Sequence, residues 1–137
     1  MKYWLIKSEP GTWSWDDQMK SPKKSTEWDG VKNHQANNFL KEMKKGDRCF
    51  FYHSVNEKQI VGVVEVVKAW EPDPNTPGEP WGHPTVKAVQ AVTTPVTLAD
   101  IKAKASLKEM VLVKNSRLSV QPVKATEWKT VCKMAGL

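Results

Sequence analysis

The sequence is poor in cysteine and has no long apolar run. Its only cysteines are Cys49 and Cys132. Both lie among apolar residues, so we expect two reduced, buried thiols rather than a disulfide or a metal site. No apolar run approaches the length of a membrane span, and the apolar stretch near the N-terminus is too short for a secretory signal. We therefore expect a cytoplasmic protein that does not act at a membrane.

The motifs that common catalytic and cofactor sites need are also missing. The sequence contains no nucleophile elbow, phosphate-binding loop, dinucleotide fingerprint, paired-histidine zinc motif or Cys-x-x-Cys. The histidines, His34, His53 and His83, are not at metal-ligand spacing. Asp16 and Asp17 are neighbours on a predicted helix and point in different directions, so we expect capping rather than acid–base catalysis. No catalytic residue, metal or cofactor is expected.

What the sequence has in excess is tryptophan. Seven tryptophans occur in 137 residues, and this side chain both fills cores and stacks on flat rings. Hydrophobic content of 39% and charged content of 26% are typical of a soluble globular protein, and the length fits one domain. The net charge of +6, from 21 basic and 15 acidic residues, is compatible with a polyanionic partner, although many small proteins are as basic.

Short strands and short helices follow one another along the chain. The predicted strands cover residues 3–7, 49–52, 59–68, 85–92, 111–113 and 118–120. Two short helices are predicted to begin at Ser14 and Thr97, each an N-cap with an aspartate three residues on, and others near residues 36, 106 and 126. Gly62 indicates a bulge or a close backbone approach. We expect an α+β protein, a small mixed β-barrel of five or six strands with peripheral short helices.

The helix near residue 36 begins with an unusual crowd of amides. One apolar stripe indicates this helix, formed by Ala36, Phe39, Leu40 and Met43. The amides at its entrance are Asn33, Gln35, Asn37 and Asn38. Amides are mediocre helix formers, so their presence needs another reason.

Polar and aromatic residues near predicted strand ends could form a pocket for a flat ring. Such a pocket needs aromatic faces together with amides or hydroxyls that read polar edges. The candidates are Ser8, Trp28, Asn33, Gln35, His53 and Ser54. All but Gln35 have a structural alternative: Trp28 could belong to the core, Asn33 could cap a helix, and His53 could be a structural histidine.

Five motifs, in order along the chain, resemble one known family. They are Trp4–Pro10, Trp28–Ala36, Gly46-Asp47, Phe50–Ser54 and Arg117–Pro122. Together they closely resemble the EVE domain, with a single domain over residues 1–137. The resemblance implies a PUA-like fold, related to YTH and ASCH domains. It also implies a pocket for modified bases, such as 5-methylcytosine and its oxidised forms in DNA, or modified bases in RNA.

Two positions differ from the usual pattern of this family. His34 stands where the family often has tyrosine, which could alter a pocket wall, and Lys32 replaces a frequent arginine and loses its bidentate fork. A looser resemblance to YTH domains, near Ser8 and Trp28, favours Trp28 as a pocket wall. The lack of a long N-terminal extension resembles the bacterial form of the family.

These observations predict a non-enzymatic, monomeric reader of a modified base in nucleic acid. The predicted base-binding pocket contains Ser8, Trp28, Asn33, Gln35, His53 and Ser54. Residues predicted to bind phosphate or support the pocket are Lys7, Lys32, Arg117, Ser119 and Gln121. The second aromatic wall is left open between Trp81, Phe51 and a residue near Met110.

Two other classes of function stay open. One is an enzyme acting on a modified base or nucleoside, with Glu9 or His53 as its acid–base group. The other is a protein-interaction module that uses the proline-rich loop Trp70–Pro84.

Overall fold

The computed structural model describes all of residues 1–137 and is built around one six-stranded sheet. Its strands are β1 (Tyr3–Ser8), β2 (Ser25–Glu27), β3 (Arg48–His53), β4 (Gln59–Pro72), β5 (Gly82–Thr97) and β6 (Val120–Val123). They lie in the order β2-β5-β4-β3-β1-β6. The pair β1 and β3 is parallel, and every other neighbouring pair is antiparallel.

Five short α-helices surround the sheet. They are α1 (Trp15–Lys20), α2 (His34–Glu42), α3 (Leu98–Ala103), α4 (Val111–Lys114) and α5 (Ala125–Met134). The predicted capping boxes of α1 and α3 are present, with Ser14 bonded to Asp17 and Thr97 bonded to Asp100. None of these helices has the length and apolar composition needed to cross a membrane.

The predicted α+β class, the strand number and the peripheral helices are confirmed, but the sheet is not closed into a barrel. Strands β2 and β6 are free edges at its two ends. Helix α2 contacts β6 as well as β4 and β5. Helix α2 thus packs against β6, β4 and β5, and no backbone hydrogen bonds join β2 to β6 to close a barrel.

The structure departs from the predictions at three places. Residues 111–113, predicted as a strand, form helix α4, because the turn lets Leu112 enter the core beside Met110, and such burial overrides β-propensity. Strand β2 was not predicted, since its Ser-Thr-Glu sequence carries no apolar signal. The predicted strand at 118–120 begins only at Val120.

The central strands are buried on both faces, as the continuous apolar run of β3 predicts. One cluster contains Trp4, Trp28 and Phe51. The other, on the opposite face, contains Leu5, Phe50 and Trp128. Both cysteines are free thiols; Cys49 is fully buried and Cys132 partly buried.

Asp47 connects three parts of the chain at the start of β3. Its carboxylate accepts hydrogen bonds from the backbone N–H groups of Lys2 (3.1 Å) and Lys44 (3.0 Å) and from the indole of Trp4 (3.1 Å). Burial by itself raises the pKa of Asp47, but these hydrogen bonds outweigh it and hold that pKa below its ordinary value.

We expect Asp47→Ala to lower the free energy of unfolding by about 3 kcal/mol, because it leaves the buried indole N–H of Trp4 and two partly buried backbone N–H groups without an acceptor. Asp16→Ala, at an exposed position in the first turn of α1, is the control and should cost about 0.5 kcal/mol. Urea denaturation measures both.

The same carboxylate makes stability depend on pH. Since its pKa is lower in the folded than in the unfolded state, its contribution is complete above pH about 4 and declines as pH falls through the folded-state pKa. The difference in free energy of unfolding between the wild type and Asp47→Ala should therefore become smaller as the pH falls below about 4. A difference that stays constant between pH 7 and about 3 would contradict this account.

Candidate functional site

An open cavity of about 1060 Å³ lies where the two edges of the sheet fail to meet. The whole of edge strand β2 lines it, together with Ser119, which directly precedes the other edge strand. The full lining consists of residues 7–9, 12–13, 25–33, Asn75, Thr85 and Ser119. The cavity is thus formed by chain segments from the first quarter of the sequence and by three isolated later residues.

Two tryptophans are the aromatic part of this lining. Trp28 is only 8% exposed and packs edge-to-face on Phe51, with ring centroids 5.5 Å apart, so it is both core and cavity wall. Trp13 is half-buried and was not identified from the sequence. The residues considered for the second wall lie elsewhere: Trp81, Phe51 and Met110 are all outside the lining.

A buried glutamine fixes the orientation of Trp13. The indole N–H of Trp13 donates to Gln18 Oε1 at 2.9 Å. The amide of Gln18, which is fully buried, donates in turn to the carbonyl of Lys24 at 2.7 Å. Because the only polar atom of the Trp13 side chain is occupied in this way, its ring presents apolar surface to the cavity.

Trp15 attaches this wall to the sheet. Its ring lies over Gly62, where a Cβ atom would be 2.4 Å from the indole, and packs edge-on against Phe51 with centroids 5.3 Å apart. Its backbone N–H donates to His53 Nε2 at 3.0 Å. The prediction of a close approach at Gly62 is confirmed, and a register shift accompanies it.

His53 is therefore tied on both sides. Its Nε2 accepts from Trp15, and its Nδ1 lies 2.9 Å from Glu57 Oε1. The first contact requires an unprotonated Nε2, so Nδ1 carries the proton and donates it to Glu57. That hydrogen bond holds the pKa of Glu57 below its ordinary value. Neither ring nitrogen is free, and His53 is not among the cavity-lining residues.

The other predicted pocket residues are divided by the structure. Ser8 lines the cavity, where its hydroxyl donates to the carbonyl of Trp13. Asn33 also lines the cavity and caps α2, with Oδ1 accepting from Ala36 N–H at 2.8 Å. Gln35 is exposed and outside the lining. Ser54 borders a separate depression of about 260 Å³.

The predicted phosphate-binding and supporting residues are also divided. Lys7, Lys32 and Ser119 line the cavity. Lys7 donates to the carbonyl of Ser116, and burial lowers the pKa of its ammonium group. Arg117 is exposed outside the cavity.

Gln121 supports the loop that carries Arg117. It is fully buried, and its amide donates to the carbonyls of Asn115 (3.2 Å) and Leu118 (2.8 Å). The ends of the loop are thereby fixed next to Ser119 in the lining. The function of Gln121 as a support of the pocket stays a prediction.

One of the unexplained amides in α2 holds the proline-rich loop. Asn37 is 1% exposed; it donates to the carbonyl of Pro80 at 2.9 Å and accepts from the indole of Trp70 at 3.2 Å. The loop connects β4 and β5 and carries Trp81, which lies beside His34 with ring centroids 4.9 Å apart. Two of the amides at the start of α2 are thus explained: Asn33 caps the helix, and Asn37 holds the proline-rich loop.

Comparison with known proteins identifies the family. The EVE domain family model matches residues 2–134. The chain belongs to the EVE domain family. Human thymocyte nuclear protein 1 is 36% identical in an alignment 161 positions long, which covers 94% of this chain and 72% of that protein. A solved structure of human THYN1 in complex with DNA containing 5-methylcytosine has a TM-score of 0.89 at 36% identity, covering 100% of this chain and 99% of that chain.

Solved structures of bacterial proteins are similar as well. A crystal structure from Agrobacterium tumefaciens is 45% identical, with a TM-score of 0.96, and covers 100% of this chain and 94% of that one. An ASCH protein from Zymomonas mobilis shares the fold alone, at 13% identity and a TM-score of 0.60 over 97% of this chain and 95% of that one. The expected relation to the ASCH and PUA-like folds is thereby confirmed.

The clamp of Trp15 on the sheet can be tested at Gly62. We expect Gly62→Ala to lower the free energy of unfolding by about 2 kcal/mol, because the added methyl group overlaps a buried indole that has no room to move. Gly11→Ala is the matched control, since nothing lies within 4 Å of its added Cβ. Urea denaturation should show a large loss only at Gly62, and equal losses would argue against the clamp.

Proposed function

We propose that this EVE domain is a reader that binds nucleic acid carrying a modified base, such as 5-methylcytosine or an oxidised derivative in DNA, or a modified base in RNA. The observation that supports it is the cavity with Trp13 and Trp28 in its lining. The THYN1 structure with DNA containing 5-methylcytosine supports the choice of ligand.

In the proposed mechanism the base leaves its strand and enters the cavity. A base in a duplex cannot present its edges to a side-chain pocket without being extruded, and extrusion costs a few kcal/mol. Stacking on an aromatic side chain returns about 1–3 kcal/mol. Trp13 and Trp28 provide this stacking, while Ser8 and the free amide nitrogen of Asn33 hydrogen-bond to the base. His53 acts indirectly, because it holds Trp15 and thereby the segment that carries Trp13.

The strand itself is held by one cation outside the cavity, Arg117, and one at its lip, Lys32. Arg117 makes no hydrogen bond or ion pair in the structure, so its guanidinium is free for phosphate. Lys32 lies at the cavity lip, with its ammonium 5.6 Å from the ring centroid of Trp81. Lys7 is engaged with Ser116 and supports the loop instead.

We further propose that the domain is non-enzymatic, monomeric and cytoplasmic. The acid–base function considered for His53 has no support, since both of its ring nitrogens are engaged in holding Trp15 and Glu57. The proline-rich loop considered as a protein-interaction surface is held against α2 by Asn37.

Affinity for an array of modified and unmodified oligonucleotides tests the proposal. Trp13→Ala should remove the preference for the modified base, at a cost of about 1–3 kcal/mol. Trp28→Ala should do the same, but it also removes a core side chain, so its folding must be checked by thermal unfolding. Trp81→Ala, a tryptophan outside the cavity, is the control that should keep the preference.

Two readouts decide this experiment. An unchanged preference in a folded Trp13→Ala protein would refute the stacking mechanism. Mass spectrometry of the oligonucleotides after incubation should show unchanged nucleoside composition; conversion of the modified base would identify an enzyme.

Phosphate contacts are expected to behave differently from pocket contacts. Arg117→Ala and Lys32→Ala should weaken binding of modified and unmodified strands alike, and each should reduce the slope of log K against log salt by about one. Lys133→Ala, on α5 and outside the cavity, should leave the slope unchanged. If Arg117→Ala lowers preference at constant slope, Arg117 braces the pocket instead.

A further inference from the structure

A buried histidine fixes one carboxylate at the cavity. Glu27 ends the edge strand β2, lines the cavity and directly precedes Trp28. Its Oε2 atom lies 2.9 Å from Nε2 of His83, and the Glu27 side chain is 60% exposed. His83 is in β5 and only 2% exposed. His83 therefore holds one carboxylate oxygen of Glu27, while the other oxygen has no partner in the structure.

The surroundings of His83 determine which atom carries its proton. Nδ1 of His83 is buried and has no hydrogen-bond partner. A proton on Nδ1 would be a buried donor without an acceptor, which is costly. The proton on neutral His83 therefore lies on Nε2 and is donated to Glu27. In this arrangement Glu27 keeps an oriented acceptor oxygen for a ligand.

An oriented carboxylate distinguishes between the polar groups of bases. It accepts hydrogen bonds from exocyclic amino groups, such as N4 of cytosine or N6 of adenine. A carbonyl oxygen at the same place, as in thymine or uracil, would bring two acceptors together and leave both unpaired. With Glu9 and Asp29, the lining holds three carboxylates against two lysines, so the cavity interior is a poor site for a phosphate group.

We propose that Glu27 determines the specificity of the pocket, by selecting a base with an exocyclic amino group over one with a carbonyl group at the equivalent position. His83 is the positioning residue that orients Glu27. This inference rests on the proposed reader function and adds to it the class of base, a cytosine-type or adenine-type ring.

Three single-stranded oligonucleotides test the inference directly. They carry 5-methylcytosine, thymine or 5-methylpyrimidin-2-one at one position. Thymine replaces the amino group by a carbonyl and adds a proton to the neighbouring ring nitrogen, whereas the pyrimidinone lacks only the amino group. The wild type should bind 5-methylcytosine about tenfold or more tightly than either of the others.

Variants of Glu27 separate its function from that of the rest of the pocket. Glu27→Ala should bind 5-methylcytosine and the pyrimidinone equally. In Glu27→Gln the carbonyl oxygen accepts from His83, so the amide turns its N–H₂ donor toward the base, and preference should shift toward thymine. Glu65→Gln, the same charge change on β4 outside the cavity, should keep the wild-type preference.

A substitution of His83 tests the positioning function. His83→Phe removes the donor and keeps most of the volume; it should reduce discrimination between 5-methylcytosine and the pyrimidinone without weakening pyrimidinone binding. Folding is checked by thermal unfolding. If this variant does not fold, the Glu27 series by itself decides the question.

The outcomes distinguish this inference from the function on which it rests. If the wild type binds all three strands equally, in a manner that Trp13→Ala abolishes, the base enters the pocket and the inference about Glu27 is overturned. The inference is also overturned if Glu27→Ala still prefers 5-methylcytosine over the pyrimidinone and thymine as strongly as the wild type does. If no modified strand binds better than its unmodified counterpart, the reader function itself fails, and the inference fails with it.

Discussion

The candidate site depends on one close contact, the indole of Trp15 lying on Gly62 of the sheet. Only a residue without a side chain allows this approach, and the ring then shields the backbone of β4 at its bulge. The same tryptophan is held by His53 through its backbone N–H. These contacts fix the start of α1, and with it Trp13, which stands two residues earlier. A cavity wall formed by a loop thereby acquires the rigidity of the sheet.

The unclosed sheet explains both where the cavity lies and how its charges are arranged. Because β2 and β6 do not pair, the space between the edges stays open and is lined by polar edge residues. Its three carboxylates, Glu9, Glu27 and Asp29, outnumber its two lysines, in contrast with the net charge of +6 of the whole chain. A polyanion is thus attracted by the outer surface of the protein, whereas the interior of the cavity is suited to the hydrogen-bond donors of a base.

Much of the fold could be predicted because local signals agree with the tertiary structure. The apolar run of β3 predicts a strand buried on both faces, and the Ser14 and Thr97 capping boxes are formed by residues within one turn of each other. Likewise, Ser8, Asn33 and other lining residues follow predicted strand or turn signals, so their placement at a common site could be anticipated.

Most of the elements and the Ser14 and Thr97 capping boxes could be predicted from the chain, because those signals act between residues a few positions apart, whereas β2 and α4 could not. Three contacts arise only in the folded protein: Trp13 joins Trp28 in the lining, Trp15 occupies His53, and His83 holds Glu27. These partners are distant in the chain and meet because β5 pairs with β2, and β3 with β4. No periodicity or spacing encodes such meetings; they follow from strand register and from the space that the open sheet leaves.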